Sequence, residues 1–562
     1  MQWNLLIKMS LKKEINKTRS QKKKLAELNI SEKNNYVDPP QQLITKLIKL
    51  YNQGKFSFVV DRAHVVIRKY PNAIIVWNIL GASAAQIGML EEAANAFNKS
   101  LVIKPDAETF NNLGNVLSDQ NNTDKAIEVY KKALMLKPNF ADAYYNLGSL
   151  FAKQDKFDQA IKAYKNSILI NPDYAEAYCN LGLAYRNIGE FNKAIEASKK
   201  SISIKSNIPL TYNNMGIILQ DLGKFEEAIQ FYKKAIELRP NFAIARHNLS
   251  YTFLSNRMLK EGFNEYEWRW QTPKLNLQQR NFTYPMWDGK TTLKDKTILL
   301  WCEQGIGDTM NWSSCLSIVN SRAKHIILEC QKKLVPLLSR SFPNIEVKAQ
   351  DRSKDADSDD FDFHLPMGSL YKNFIDEMIE KGNLESYLVP DPVRVQYWKE
   401  RLHSISKGTY IGVCWKSSLK SSYRLQHYPN MSEWAPVFKV PDVTFINLQY
   451  KDYEDDIAKV ENDFGVKIHN FEDIDQYEDI DEVAALTAAL DMVVSTKATP
   501  PMISAGVGTP TKIANWRQST YNTILTNPRS TSLKMIHRDT WEPWDKVFNI
   551  ITDEILKLKI SD

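Results

Sequence analysis

The residues best suited to chemistry lie in one short run, Trp301-Cys302-Glu303-Gln304-Gly305-Ile306-Gly307-Asp308-Thr309. An apolar segment, Thr297 to Trp301, precedes it, and a helical pattern follows. A strand, a glycine turn and a helix start offer backbone N–H groups and a helix N-terminus, which is how α/β proteins build anion sites. Asp308 adds a carboxylate on that turn, able to take a proton from a hydroxyl. The bland alternative is that Asp308 caps the following helix while Gly305 and Gly307 serve a tight turn.

Other chemistries find less support. The eight histidines show no ligand spacing, and no Ser/His/Asp set is readable. The acidic run Asp351 to Asp360 starts like a calcium loop. It lacks the sixth-position glycine, and Pro366 stands where the closing glutamate belongs, so it reads as a solvated loop with no metal. The five cysteines, Cys179, Cys302, Cys315, Cys330 and Cys414, form no C-x-x-C pair. They read as buried free thiols of a reducing compartment, which points to the cytoplasm.

A chain of 562 residues exceeds one ordinary core and predicts two to four domains. The net charge of +7 is small for this length and, with no basic and aromatic groove pattern, argues against nucleic acid. No apolar run reaches the roughly 18 residues of a membrane span. The first 30 residues carry eight Lys or Arg against Glu14 and Glu27. They read as a solvated basic lead-in; the sharper alternative is a peripheral contact with an anionic membrane or partner.

The elements that position the turn begin with a periodic array. Prolines recur at Pro71, Pro105, Pro138, Pro172 and Pro240, with Ser206 filling the gap, at spacings of 34, 33, 34, 34 and 34. Glycines recur at Gly81, Gly114, Gly148, Gly182 and Gly216, each preceded at four residues by Trp77, Phe110, Tyr144, Tyr178 or Tyr212. Alanines recur at Ala93, Ala126, Ala160, Ala194 and Ala228, followed at four residues by Phe97, Tyr130, Tyr164, Ser198 and Tyr232. This pattern resembles the tetratricopeptide repeat: five full repeats, a degenerate one before them and a partial one after. Small residues let paired helices approach, aromatics fill the space between pairs, and proline ends the second helix. Each pair exposes an apolar face that only its neighbour covers, so the array stacks as an α solenoid.

The concave face carries Asn112, Asn115, Asn146, Asn180, Arg186, Asn213 and Asn214. Asn112, Asn146, Asn180 and Asn214 suit hydrogen bonding to the backbone of an extended peptide; the alternative is capping within the repeat. The array closes at Glu261 to Trp270, whose tryptophans, with Trp287, suit a seam against the next domain.

Beyond Lys290, short β-rich runs alternate with helical stretches. Strands are expected at Thr297–Trp301, His325–Cys330, Ile345–Val347 and Phe361–Leu365, then at Tyr410–Trp415, Val443–Leu448, Val466–His469, Asp491–Ser495 and Thr511–Ala514. Such alternation predicts parallel sheets with helices on both faces. Two Rossmann-like halves facing one another form a GT-B layout, with ligand beyond the carboxyl ends of the strands. The expected domains are a basic lead-in (1–39), the repeat solenoid (40–270), a connector (271–290), an N-terminal Rossmann-like half (291–390) and a C-terminal half with a closing helix (391–562).

Trp287-Asp-Gly289, Leu299 to Thr309, Leu486 to Val494 and Ala505-Gly-Val-Gly-Thr-Pro510 together resemble the carboxyl-terminal domain of bacterial tetratricopeptide proteins related to the heptosyltransferases. The resemblance implies an inverting glycosyltransferase using a nucleotide-sugar co-substrate, without bound cofactor or metal. It implies Asp308 as general base, with Gln304, Gly305 and Gly307 on the acceptor side. It also implies a nucleotide pocket from Lys416 and Arg424 after the first strand of the second half, Gln449, and the segment Thr496, Lys497, Thr499 before a helix opened by Pro500 and Pro501. The bland alternatives are surface charge for the lysines and capping for Thr499. The relatives carry an Asp-Thr and a later His where this chain has Lys497-Ala498 and Met502; Lys497 is then the residue to replace the lost positive charge. The acceptor would be a protein or glycan recruited by the repeats. The second reading is a non-catalytic protein-interaction scaffold with a degenerate transferase domain.

Overall fold

The 34-residue period translates into pairs of antiparallel helices. The computed structural model describes residues 38–351, 360–382, 384–417, 428–516, 530–538 and 542–561. The basic lead-in before residue 38, the acidic stretch 352–359 and Arg424 lie outside these residues. The chain divides into two units between Asn207 and Ile208.

In the first unit the helix pairs are 41–52 with 56–69, 74–86 with 90–103, 107–119 with 123–136, 141–153 with 157–170, and 175–187 with 191–204. The recurring glycines sit where a first helix meets the second helix of its pair. A methyl group at Gly81, Gly114 or Gly148 would stand 2.8, 2.5 or 2.8 Å from the ring of Phe97, Tyr130 or Tyr164. Those rings are buried, as are Ala93, Ala126, Ala160 and Ala194. The other aromatic series is only half-buried at Trp77, Phe110, Tyr144 and Tyr178, so it fills the stack less completely than the spacing suggested. Second helices end two residues before each proline, because the residue ahead of proline is pushed out of the helical region.

A further 34-residue series escaped the sequence reading. The turn inside each helix pair places one residue in the left-handed region: Gly54, Gly88, Asn121, Asp155 and Gly189, with Gly223 and Arg257 in the second unit. Glycine, asparagine and aspartate tolerate that region. The link between repeats also varies. Pro105 to Ala107 is one residue shorter than Pro138 to Ala141. There Asp106 caps the next helix, its carboxylate accepting from the Thr109 N–H at 3.0 Å.

The second unit opens with helices 209–221, 225–238, 243–255 and 259–266, which group with the α/β region. Phe263 meets Tyr371 edge-on at 5.0 Å, and Lys260 pairs with Asp376 at 2.7 Å. Two all-parallel sheets follow. The first has strands β1 (297–301), β2 (325–330), β3 (346–349) and β4 (363–366) in the order β3-β2-β1-β4. The second has β5 (409–414), β6 (443–447), β7 (468–469), β8 (492–495), β9 (511–516) and β10 (533–538) in the order β10-β9-β8-β5-β6-β7. The central strands are buried, β5 throughout and β1 from Ile298 onward, as parallel strands covered on both faces must be. The last helix, 545–561, packs Phe548 on Trp434 at 4.8 Å.

Gly148→Ala drives a methyl group into the fixed Tyr164 ring. It is expected to lower stability by about 1–3 kcal/mol, measured by urea unfolding. Gly88→Ala, with open space but a left-handed backbone, should cost about 1 kcal/mol through strain alone.

Candidate functional site

Strand order fixes where each sheet can hold a ligand. Order reverses between β1 and β4 in the first sheet and between β5 and β8 in the second, and the crevice beyond the carboxyl ends lies at those points. Gln304, Gly305, Gly307 and Asp308 follow β1, and Lys416, Thr496, Lys497 and Thr499 follow β5 and β8.

In the first sheet, β1 runs into the glycine turn and β4 into Met367-Gly368-Ser369. Asp308 stands in the first turn of helix 306–313 and accepts from the Gly305 N–H at 3.1 Å. The capping role is therefore realised, and one carboxylate oxygen is engaged by it. Gln304 donates from its amide to the Tyr266 hydroxyl, and its carbonyl accepts from Gln331 Nε2 at 2.9 Å.

The crevice itself is filled by groups that the sequence reading left without a role. Arg269, fully buried, comes from the 3-10 turn 267–271 that closes the helical array. Its guanidinium donates to Glu303 Oε1 at 3.1 Å, Ser369 Oγ at 2.9 Å and Glu267 Oε1 at 2.5 Å. It also lies 4.5 Å from the Tyr266 ring centre and 4.6 Å from that of Trp270. Ser369 in turn donates to Glu267 at 2.8 Å, and the Gly368 N–H donates to Glu303 at 3.0 Å. A methyl group on Gly368 would stand 2.2 Å from that Glu303 oxygen, so only glycine fits. Burial pushes the Glu303 carboxyl up to about 7, against the opposing pull of Arg269 and Gly368. Glu303 Oε2 has no hydrogen-bond partner among the described residues. The sequence signal was present: a charged residue between two tryptophans, Trp268-Arg269-Trp270, has no ordinary place in an apolar seam.

In the second sheet, Lys416 follows β5 and Thr496, Lys497 and Thr499 follow β8, so all four lie beyond the carboxyl ends of two neighbouring strands. Lys416 is held by Asp456 at 2.5 Å, and the same carboxylate oxygen accepts from Trp415 Nε1 at 2.8 Å. Its charge is thus already countered within the protein. The Thr496 N–H donates to the Cys414 carbonyl at 2.8 Å, while its buried hydroxyl has no partner among the described residues. Thr499 sits at the N-terminus of helix 500–507 without a side-chain cap bond, so it does not fill the capping role expected as its bland alternative.

Gln449 requires a correction. It is only 1% exposed. Its amide oxygen accepts from the N–H groups of Trp415 at 3.2 Å and Lys416 at 3.0 Å, and its amide nitrogen donates to Lys451 O at 3.3 Å. Gln449 braces the loop after β5 and presents nothing to a base or ribose.

The two crevices face one another. A methyl group at Gly307 would sit 3.6 Å from Met502 Cγ and 4.0 Å from Thr499 Oγ1. The same two halves are tied by Arg340 to Asp481 at 3.1 Å and by Lys333 to the Tyr477 carbonyl at 2.7 Å.

On the repeats, the concave asparagines take a role not foreseen. Asn146 Nδ2 donates to Asn111 Oδ1 at 3.0 Å and Asn180 Nδ2 to the Tyr145 hydroxyl at 3.1 Å, each reaching 35 residues back to the preceding repeat. These amides tie repeat to repeat. Asn214 is buried and closed to a peptide backbone, whereas Asn112 stays half-buried. All five cysteines are buried free thiols. No helix among the described residues is long and apolar enough to cross a membrane.

Arg269→Met leaves Glu303 without its counter-charge. It is expected to cost about 3–5 kcal/mol of unfolding free energy at pH 8. Glu303 binds its proton more tightly folded, at about 7, than its ordinary value of 4.5. The stability it contributes is therefore present below about 4.5 and lost as pH rises through about 7. Glu303→Gln should remove about 2 kcal/mol of pH dependence between about pH 5 and 8; an unchanged slope would show that Glu303 is ionised throughout.

Matching family models fall on the repeats. Family models described as TPR repeat and tetratricopeptide repeat match residues 114–155, 148–189, 175–208 and 209–242. Protein FlbA of Caulobacter vibrioides is 34% identical over 268 residues, 44% of this chain and 44% of FlbA, so the chain spans less than half the length of that relative. The peroxisomal targeting signal receptor of Candida glabrata is 35% identical over 78 residues, 14% of this chain and 13% of the receptor. Among solved structures, crystalline MamA is 37% identical, with 29% of this chain and 95% of MamA covered and a TM-score of 0.27. The chain thus carries a tetratricopeptide repeat array followed by an α/β region of parallel sheets.

Proposed function

We propose that the chain is a glycosyltransferase of GT-B layout, moving a sugar from a nucleotide-sugar donor to an acceptor held by the repeats. The observation that carries this reading is the apposition of the two crevices, with the Gly307 turn against Thr499 and Met502. The proposed domains are the repeats over 40–270, one half over 291–390 and the other over 391–562.

In this scheme the donor diphosphate lies on the N-terminus of helix 500–507. Lys497 follows β8 at that end of the sheet. Asp308 takes the proton from the acceptor hydroxyl. The hydroxyl oxygen bonds to the anomeric carbon as the bond from that carbon to the diphosphate oxygen breaks. The electron pair leaves with the nucleoside diphosphate, whose growing charge the helix N-terminus and lysine stabilise. Similarity to targeting-signal receptors supports a protein segment as what the repeats hold.

The second reading, a scaffold whose α/β region has lost catalysis, is favoured by two contacts. Arg269 fills the first crevice, and Lys416 is neutralised by Asp456.

A thermal-shift panel of nucleoside diphosphates and nucleotide-sugars separates the readings: stabilisation by at least one is expected, and silence across the panel favours the scaffold. For the ligand found, Lys497→Ala should weaken binding by about tenfold in calorimetry. Asp308→Asn, with an unchanged melting curve, should lower transfer by about a hundredfold or more; full activity would remove Asp308 as the base.

A further inference from the structure

The outer faces of the second helices carry a pattern that the site does not use. Val102, Met135 and Leu169 occupy the same register position in three successive repeats, 33 and 34 residues apart. They are 84%, 81% and 80% exposed. One helix turn earlier on the same faces stand exposed lysines: Lys99, the pair Lys131 and Lys132, and Lys165. The position is apolar only there. The preceding repeat has Arg68, and the following ones have Ser203 and Glu237. Scattered apolar side chains on a surface need no explanation, but a register-matched series flanked by lysine at each step does.

From this stripe we propose that the first unit lies against an anionic lipid surface, with Val102, Met135 and Leu169 dipping into the headgroup boundary. Charge and composition select that occupant. Protein interfaces are depleted in lysine and anchored by aromatic or arginine side chains set in pockets, and the stripe has neither anchor. Lysines beside isolated aliphatic side chains suit lipid headgroups, where the ammonium groups meet phosphate while the aliphatic stems stay in the interface. The contact is independent of the proposed transfer reaction.

The test is co-sedimentation of the full chain with vesicles of phosphatidylcholine alone or with 30 per cent (roughly one lipid in three) phosphatidylglycerol. Binding is expected only to the anionic vesicles and should weaken as salt rises. Val102→Ser with Met135→Ser and Leu169→Ser adopts the residue that the next repeat tolerates, and should weaken partitioning by about tenfold or more. Lys99→Glu with Lys131→Glu and Lys132→Glu should weaken it by about a hundredfold. Both variants are checked for unchanged circular dichroism. Absence of binding overturns the proposal, as does binding that both folded variants retain, which would assign it to other basic residues. Sedimentation velocity supplies the remaining outcome: a dimer that the serine variant dissociates would make the stripe a self-association face, and the lipid proposal would fail.

Discussion

The second unit depends on one buried cation. Arg269 leaves the end of the helical array and enters the point where the first sheet reverses its strand order, meeting Glu303 on one turn and Ser369 on the other. A guanidinium removed from water is tolerable only when its charge is countered, and here two carboxylates, a hydroxyl and two aromatic faces surround it. Gly368 is the geometric condition for this arrangement, since any side chain would occupy the place of the Glu303 oxygen. The result is that the turn bearing Asp308 is fixed from the side of the helical array, through Arg269 to Glu303 and through Tyr266 to Gln304.

The repeats solve a simpler problem of fit. A ring on one helix needs a bare backbone on the next, so glycine and aromatic recur in step. Where Ser198 replaces the ring opposite Gly182, its hydroxyl would stand 2.6 Å from an added methyl group, so the close approach persists without the aromatic. The asparagine amides add polar ties between repeats that an apolar stack alone would lack, and directional bonds of this kind fix the rotation from one repeat to the next.

What could be read from the sequence follows the distance over which each feature is encoded. β1 and β2 fell where expected because a buried parallel strand is an unbroken apolar run. β10 was missed because Leu533-Lys-Met-Ile-His-Arg538 is an edge strand, half solvated, with no such run. Helix 392–405 was not legible because it buries mainly Trp398 and Leu402, too few to give a clear period. Asp308 and Thr499 were legible as local features of a turn and a helix start. The Arg269 cluster was not, because its partners lie 34 and 100 residues away, at Glu303 and Ser369. Gln449 followed a strand end in the sequence, but only the folded loop shows its amide turned inward.

The shortened link at Asp106 bears on how such a chain can change over generations. Deleting a residue inside a helix would rotate every later side chain by about 100 degrees and separate each ring from its glycine. The same deletion in a link leaves both helices in frame and removes only backbone contacts at one end, which a single aspartate restores. Lineages of this architecture should therefore lose and gain single residues between repeats and whole repeats within the array. The helices themselves should keep their length while their outward-facing residues drift.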